Sequence, residues 1–203
     1  MKISTIFFDL GKVLVDYDFN LAFYKMSQNS TLSSEEIEAK TPQAEPLLNE
    51  YESGRIETPE FFQTLKDLFE FQGSSEELID IWSDIFSPLE EHIQLARQLS
   101  EYYPLAMISN TSDAHIRFLE ERYDLFDLFR ERIYSYQFGT MKPDPSIYHH
   151  ALEKMGADKY ESLFIDDREE NILTPSKMGW QTIHLRPDVD LRIALQSYDL
   201  TGI

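Results

Sequence analysis

The chain has 203 residues, a mass of 23.9 kDa and a net charge of −19 at pH 7, so it can bury a sizeable core and suits one domain with a modest insertion. The negative charge argues against nucleic acid and anionic membranes as partners, and no apolar run reaches the roughly 18 residues that a membrane helix needs. Cysteine is absent, which excludes disulfides and thiolate chemistry and favours a cytoplasmic location.

The first predicted element is a buried strand in the segment IFFDLG at 6–11, where an apolar run ends at Asp9. The sequence then loses strand character over 17–88 and shows helix-like apolar spacing instead. Capping residues followed by acids or proline mark helix starts near Ser33, Thr58 and Ser74. These signals predict a small helical domain inserted directly after the first strand.

Helix and strand alternate after this helical segment. Strands are predicted at 104–109, 133–138, 163–166 and 182–185, with helices between them. Such alternation implies right-handed crossovers and a parallel, doubly wound, Rossmann-like sheet. The predicted fold is therefore an α/β core over 1–16 and 88–203, with an inserted all-α cap domain over 17–87.

Reactive side chains follow the predicted strands at the points where the strands end. They are Asp9, Ser109, Lys142 in the segment FGTMKPD, and the pair Asp166 and Asp167. Because the carboxyl ends of parallel strands meet at one edge of a sheet, we expect these side chains to converge on one crevice. A nucleophilic carboxylate, a hydroxyl, a cation and a metal site are the groups that phosphoryl transfer requires. Taken singly, each residue could instead be a turn former, a helix cap or a solvated lysine.

Asp166 and Asp167 give the strongest signal of a metal. Two adjacent carboxylates after an apolar run would repel each other and Asp9 in a partly buried crevice. A hard divalent cation resolves this conflict, and Mg²⁺ binds one or two carboxylates while it bridges to a substrate phosphate. We therefore predict Mg²⁺ as the cofactor, against the alternative that both acids only cap the following helix.

In this order and spacing, the four segments resemble the motifs of the haloacid dehalogenase-like hydrolase superfamily, with 17–88 in the place of its helical cap. The string FDLGKVLVDYDFN is similar to a subgroup of bacterial sugar-phosphate phosphatases of the glucose-1-phosphate type. The resemblance implies that Asp9 attacks phosphorus and forms an aspartyl-phosphate, while Lys142 neutralises charge on the nucleophile and on the transferring group. It also implies that Ser109 and Asn110 hold the phosphoryl oxygens.

The resemblance implies a complete metal site as well. Asp9 and Asp167 would bind Mg²⁺ directly, and Asp166 would hold a bound water. The backbone carbonyl of Gly11 would supply a third oxygen beside the bound substrate. The partner of this site would be a small phosphorylated metabolite, and the chain would act as a monomer or a homodimer.

Gly11 departs from the superfamily's pattern. Most of its phosphatases carry a second Asp there, which protonates the leaving group and then activates water, and such acid–base catalysis is worth typically ~10²–10⁴-fold. Lys12, Asp16 and Asp18 lie close in the sequence and could supply or position a proton carrier instead. Without a positioned acid, we expect a preference for sugar 1-phosphates over 6-phosphates, unless another residue, for example from the cap, supplies the proton.

We interpret the chain as a Mg²⁺-dependent phosphatase that acts on a small phosphorylated metabolite of the sugar-phosphate type. Two other hypotheses stay open at this point. Dehalogenases of the superfamily also lack the second acid, so metal-independent dehalogenation of a 2-haloacid competes, although their fourth motif is not a double acid. A catalytically weak binding or regulatory protein with the same fold is the third hypothesis.

The cap must offer some polar group to a substrate that it encloses. In the turn-like segment EYESGRIET, Tyr51, Glu52 and Arg55 are the candidates to face the crevice, and Gly54 provides a bend. The five histidines form no spaced metal motif, so we interpret them as surface or packing residues.

Overall fold

A parallel sheet of five strands lies at the centre of the computed structural model, which describes residues 2–203. The strands are β1 (Thr5–Phe8), β2 (Val15–Tyr17), β3 (Phe86–Pro88), β4 (Leu105–Ser109), β5 (Glu131–Tyr134), β6 (Ser162–Asp166) and β7 (Gln181–His184). The helices are α1 (Phe19–Ser27), α2 (Ser34–Glu52), α3 (Thr58–Leu68), α4 (Ser75–Ser83), α5 (Glu90–Ser100), α6 (Asp113–Arg122), α7 (Ser135–Phe138), α8 (Pro145–Met155), α9 (Glu169–Met178) and α10 (Leu191–Gln196). Across residues 2–203, no helix combines the length and the apolar character needed to cross a membrane.

The strand order β5-β4-β1-β6-β7 puts β1 in the middle of the sheet. Every residue of β1, β4 and β6 is buried, because both faces of the sheet are covered. Phe8 packs in the cluster on one face and Phe7 in the cluster on the other, which confirms the predicted doubly wound α/β fold. In register, Phe8 lies opposite Met107 of β4 and Ile165 of β6, so the next residue, Asp9, leaves the sheet beside the end of β6.

The prediction of a strand over 133–138 is right for 133–134 and wrong for 135–138. The strand β5 ends at Tyr134, and the next residues form the short helix α7, which closes at Gly139 in a left-handed conformation (φ +86°). The cause is the hydroxyl of Ser135, which accepts a hydrogen bond from the Thr111 backbone N–H (3.0 Å) and donates one to the Thr111 carbonyl (3.2 Å). This tertiary contact pulls the chain out of the sheet, although the segment IYSYQF has strand-like composition.

The helices α1–α4, which we call the cap, lie between β2 and β3. They enclose their own buried aromatic cluster, separate from the two clusters that cover the sheet. The chain leaves for the cap along β2 and returns along β3, and these two strands pair antiparallel, with Tyr17 opposite Phe86. The domain boundaries at 16/17 and 87/88 fall in this ribbon and stay a prediction.

Two side-chain contacts hold the cap against the start of α6. The hydroxyl oxygen of Tyr51 accepts a hydrogen bond from the Ala114 backbone N–H (3.3 Å), and it also bonds to the Thr58 hydroxyl (3.0 Å). The Thr58 hydroxyl donates in turn to the carboxylate of Asp113 (3.3 Å). Because α6 follows the site residues at the end of β4, these contacts join the cap to the functional edge of the sheet.

Gly54 is a point of close contact between the cap and the core. It adopts φ +69°, and a Cβ atom built there would lie 2.1 Å from the carbonyl oxygen of Tyr136 in α7. A side chain therefore fits neither the backbone conformation nor the available space. This contact fixes the C-terminal end of α2 over the carboxyl edge of the sheet.

We predict that Gly54→Ala lowers the free energy of unfolding more than Gly156→Ala does. Both positions have left-handed φ values, +69° and +61°, but a Cβ at Gly156 meets nothing within 4 Å. Both variants therefore carry the conformational cost of ~1–2 kcal/mol, while only Gly54→Ala must also displace the Tyr136 backbone. Urea unfolding of the two variants measures the difference, and equal losses would contradict the steric argument.

Candidate active site

Lys142 is the centre of the site at the carboxyl edge of the sheet. Its Nζ donates hydrogen bonds to the Ile108 carbonyl (2.8 Å) and to Asp166 Oδ2 (2.6 Å), and it lies 2.8 Å from Asp9 Oδ1. The side chain is only 1% exposed, so all three ammonium protons are used inside the protein. Burial works against the charged ammonium, but Asp166 and Asp9 outweigh it and hold the pKa of Lys142 above its ordinary value.

Asp9 lies directly after β1 and is almost completely buried. Its Oδ1 accepts from the Leu10 backbone N–H (2.7 Å) and pairs with Lys142, while its Oδ2 accepts no hydrogen bond from the residues that the structure describes. Burial raises the pKa of Asp9, Lys142 acts in the opposite direction, and the charge of Asp166 adds to the rise. The arrangement presents one fixed carboxylate with one oxygen left for a ligand.

Asp166 is fully buried and engaged by the protein on both of its oxygens. Besides Lys142, it accepts hydrogen bonds from the Arg168 backbone N–H (2.8 Å) and from the Asn171 side chain (3.1 Å to each oxygen). Asp167 is half-buried, and burial followed by the charge of Asp166 raises its pKa. The two neighbouring acids therefore differ: Asp166 orients Lys142, and Asp167 keeps its carboxylate available.

The carboxylates of Asp9, Asp166 and Asp167 form a cluster in which the ligand oxygens lie within 4.8 Å of one another. A set of hard oxygen donors at this spacing fits Mg²⁺, which prefers carboxylate oxygens and water. The residues present in the site therefore fit the predicted metal. Gly11, whose carbonyl was predicted as a further ligand, lies two residues beyond Asp9 and borders the adjoining cavity.

Ser109 ends β4 and Asn110 follows it, on the other side of Asp9, and the two residues differ in their partners. The Asn110 side-chain amide accepts from the Lys142 backbone N–H (2.8 Å) and donates to the Lys142 carbonyl (2.8 Å). The Asn110 side chain thereby fixes the segment that carries Lys142. Only the backbone of Asn110 is then left for a ligand. The Ser109 hydroxyl makes no hydrogen bond within residues 2–203. The N-cap of α6 is Ser112, whose hydroxyl accepts from the His115 backbone N–H (3.5 Å).

A cavity of about 360 Å³ lies between the sheet edge and the cap. Its floor includes Gly11, Ser109, Asn110 and Lys142. Its polar wall is formed by Asn49, Glu52, Arg168 and Glu170, and its apolar wall by Phe19, Leu48, Ile85 and Phe86. The cavity therefore offers polar and charged groups on its floor and a wall of mixed polarity under the cap.

Of the three cap candidates, only Glu52 borders the cavity. Tyr51 is buried in the cap, where its ring stacks on Phe61 at a centroid distance of 4.2 Å. Arg55 is exposed and pairs with Glu50 (2.8 Å). Sequence reasoning missed Asn49, Arg168 and Glu170 as lining residues. The sequence does carry a signal for Arg168 and Glu170, because both lie within three residues after Asp167.

The place beside Gly11 is occupied by the ring of Tyr17. A Cβ atom at Gly11 would lie 3.0 Å from Tyr17 Cε1, so a larger side chain there would require this ring to move. The other residues near Gly11 that could supply or position a proton carrier make contacts outside the cavity. Lys12 pairs with Asp16 and lies 4.4 Å from the Tyr17 ring centroid, and Asp18 caps α1 by accepting from the Asn20 backbone N–H (2.9 Å). None of these three residues borders the cavity.

The chain matches the family model of the haloacid dehalogenase-like hydrolases over residues 3–179. It belongs to this family. The resemblance inferred from the four motifs is therefore confirmed. We refer to the chain below as a haloacid dehalogenase-like hydrolase.

Several relatives are similar over nearly their whole length. The hydrolase is 26% identical to D-ribitol-5-phosphate phosphatase from Bacteroides thetaiotaomicron, over 94% of this chain and 95% of the relative. It is 24% identical to pyrimidine 5'-nucleotidase YjjG from Escherichia coli, over 84% and 80%. It also resembles the crystal structure of the HAD family enzyme bt-2542 from B. thetaiotaomicron in complex with magnesium and inorganic phosphate, with a TM-score of 0.84, 25% identity and coverage of 95% and 98%.

His115 is a buried histidine of the hydrolase at the cap–core junction. Its ring stacks parallel to Trp82 (centroid distance 6.1 Å, interplanar angle 6°), and its Nε2 has no partner within residues 2–203. Burial lowers the pKa of His115 to about 4, with partial opposition from a hydrogen bond to the Trp82 backbone. The residue is therefore neutral in the folded protein, as its interpretation as a packing residue requires.

We predict that His115 makes the hydrolase less stable as the pH falls from 6.5 to about 4, because in this window the unfolded chain binds a proton that the folded protein excludes. The contribution is at most ~1.4 kcal/mol per pH unit. Relative to wild type, His115→Gln should gain unfolding free energy as the pH is lowered from about 7 to about 5. The control His149→Gln removes an exposed histidine, and its unfolding free energy should change with pH as that of wild type does. Parallel curves for both variants would contradict the prediction.

Proposed function

We propose that the hydrolase is a Mg²⁺-dependent phosphatase that hydrolyses a small phosphorylated metabolite through an aspartyl-phosphate. The observation that carries this proposal is the cluster of Asp9, Asp166 and Asp167, whose oxygens lie within 4.8 Å of one another beside the buried Lys142 ammonium. One relative is named as a phosphatase and another as a 5'-nucleotidase, and bt-2542 was crystallised with magnesium and inorganic phosphate. Both facts support the same chemistry for this chain.

Asp9 is the proposed nucleophile. Its carboxylate attacks phosphorus in line with the ester oxygen, so that an acyl–phosphate bond forms while the bond from phosphorus to the leaving oxygen breaks. Lys142 holds the carboxylate by Oδ1 and neutralises charge on the attacking group. The Ser109 hydroxyl and the Asn110 backbone N–H bind the phosphoryl oxygens. Water then attacks phosphorus and releases inorganic phosphate.

Asp9, Asp167 and the carbonyl of Gly11 are the proposed ligands of Mg²⁺. Asp166 supports the site through its bonds to Lys142 and Asn171, and it completes the negative cluster. When bound, Mg²⁺ supplies positive charge that polarises the phosphoryl group. Because the whole chain carries a charge of −19, such local positive charge is also what allows an anionic substrate to approach.

Dehalogenation of a 2-haloacid is disfavoured by the same cluster. A metal-independent enzyme gains nothing from three carboxylates at one edge of the sheet, because in the absence of a cation they repel one another. A purely regulatory protein would not need the ordered bonds that hold Lys142 against Asp9. Metal dependence separates phosphatase from dehalogenase, and turnover of any phosphate ester separates phosphatase from regulator.

A sugar phosphate is the proposed substrate class. A cavity of about 360 Å³ lies at the small end of ligand pockets, which span ~300–1,000 Å³, and it combines polar and apolar walls. The relatives named above act on a sugar-alcohol phosphate and on pyrimidine nucleotides, so their names alone leave the substrate open. The similarity of the segment after β1 to sugar-phosphate phosphatases supports the first of these classes.

We predict that activity requires Mg²⁺ and is abolished by excess chelator. Asp167→Asn should weaken Mg²⁺ binding by more than the ~10–100-fold typical of an outer-shell change, because it removes a direct ligand. Titration calorimetry with Mg²⁺ alone measures the affinity, and circular dichroism checks the fold. Asp188→Asn, an exposed acid paired with Arg186, is the matched control. Full activity in excess chelator would overturn the metal assignment.

We also predict that Asp9→Asn lowers turnover by more than ~10³-fold, since loss of a covalent nucleophile commonly costs still more. The amide keeps the shape of the side chain, so substrate should still bind. Acid quenching of the wild-type reaction should trap a phosphoryl group on the peptide that contains Asp9, as measured by mass spectrometry. The control Asp16→Asn should still form this adduct. Normal turnover without any trapped adduct would contradict the covalent route.

A further inference from the structure

Gly11 leaves the sheet side of the cavity without an acid that could protonate a leaving group. We infer that Glu52, at the end of α2, is the catalytic acid and base: it protonates the leaving oxygen and then accepts a proton from the attacking water. This inference rests on the proposed phosphatase function and supplies the step that Gly11 cannot perform.

The position of Glu52 is fixed on both sides by contacts with the core. Its predecessor Tyr51 is anchored through its hydroxyl to the Ala114 backbone N–H (3.3 Å). Two residues beyond Glu52, Gly54 lies so close to Tyr136 that an added Cβ would be 2.1 Å from its carbonyl oxygen. Glu52 lines the same cavity as Gly11 and Ser109. A leaving group held in this cavity would therefore have Glu52 on its wall.

The carboxyl group of Glu52 has no hydrogen-bond or ion-pair partner within residues 2–203, which is unusual for a carboxyl in a protein wall. Burial raises the pKa of Glu52 to about 7, and Arg168 opposes this rise. A group with a pKa near neutrality can both donate and accept a proton during turnover. Among the cap helices α1–α4, Glu52 supplies the only carboxylate that the described structure places at the cavity.

The other titratable groups on the cavity wall are less suited to both tasks. Glu170 is exposed, and its backbone N–H and Arg168 hold its pKa below the ordinary value, so it has no proton to give. The Nε2 of His115 is buried, and burial lowers the pKa of His115 to about 4. Burial raises the pKa of Tyr17, so its phenol could donate a proton but would not return to the charged form that activates water.

Glu52 alone donates a proton in the first step and recovers one in the second. In the first step Asp9 forms a bond to phosphorus, the bond to the leaving oxygen breaks, and the Glu52 carboxyl proton moves to that oxygen. The alcohol leaves, and Glu52 remains as a carboxylate. In the second step water adds to phosphorus, its proton moves to Glu52, and the bond to Asp9 breaks. Inorganic phosphate is released, and both carboxyl groups return to their starting states.

This inference changes the expected substrate preference. An enzyme without an acid should favour sugar 1-phosphates strongly, because their leaving oxygen carries negative charge well. With Glu52 in place, the wild-type enzyme should accept 6-phosphates and simple alkyl phosphates at rates that depend only weakly on the leaving group. The steep dependence should appear when the Glu52 proton is removed.

The test is a series of phosphate esters with leaving groups from p-nitrophenol to simple alcohols, assayed with Mg²⁺ in wild type and Glu52→Gln. Glu52→Gln should lose ~10²–10⁴-fold in kcat/KM for alkyl phosphates, the usual worth of acid–base catalysis. It should lose less than ~10-fold for p-nitrophenyl phosphate, whose leaving group needs no proton. Glu50→Gln makes the same change on the same helix, at an exposed residue outside the cavity, and should match wild type.

Three outcomes would decide against parts of this scheme. An equal loss for every ester in Glu52→Gln would show a merely structural role and overturn the inference. A steep leaving-group dependence already present in wild type would overturn it without any variant, which covers the case of a Glu52→Gln protein that fails to fold. If wild type released phosphate from no ester in the series, the phosphatase proposal itself would fall, and the inference with it.

Discussion

The site depends on one ammonium group that is shared between two buried carboxylates. The Lys142 side chain is buried, so its charge is stable only because Asp9 and Asp166 lie 2.8 and 2.6 Å away. One positive charge against three carboxylates, with Asp167 included, leaves two negative charges at the sheet edge. A divalent cation balances this excess, which is why the same arrangement that holds Lys142 also calls for a metal. Much of the surrounding structure, from the Asn110 amide to the Asn171 side chain, serves to keep these groups in place.

The hydrolase divides its chemistry between two separately packed layers. In the proposed reaction, the sheet supplies the groups that handle phosphorus, on strands whose every residue is buried. The cap would supply the wall that meets the rest of the substrate, from helices with their own aromatic core. Contacts through Tyr51, Thr58 and Gly54 join the layers, together with the stacked rings of Trp82 and His115. These contacts therefore set the position of the cap over the sheet edge.

The sequence predicted the sheet side of the site well, because a strand is a short apolar run and its carboxyl end is a definite point. Asp9, Ser109, Asp166 and Asp167 follow from this rule, and the parallel register then places their strand ends at one edge. The short helix at 135–138 was not predicted, because the hydrogen bonds of Ser135 to Thr111 join residues far apart in the chain. The family model later confirmed the resemblance on which the remaining expectations rested.

The cap side was harder to predict for a physical reason. The direction of a side chain at the end of a helix depends on how that helix docks, which periodicity does not encode. Tyr51 turns into the cap core, Arg55 turns to solvent, and Glu52 between them borders the cavity. The roles of Asn110 and Asp166 also needed coordinates, since the motif alone does not show that their side chains are held by Lys142 and its neighbours.

The ribbon of β2 and β3 is both the passage between the layers and part of the substrate enclosure. Tyr17 and Phe86 pair across this ribbon, and both of them border the cavity. Any displacement of the cap relative to the sheet must bend the ribbon and so reshape the wall that touches the substrate. In the proposed reaction, substrate entry, fit and product release would therefore be mechanically coupled. A substitution at either aromatic would alter how tightly the substrate is enclosed and how readily the enclosure opens, so these two properties cannot be tuned independently.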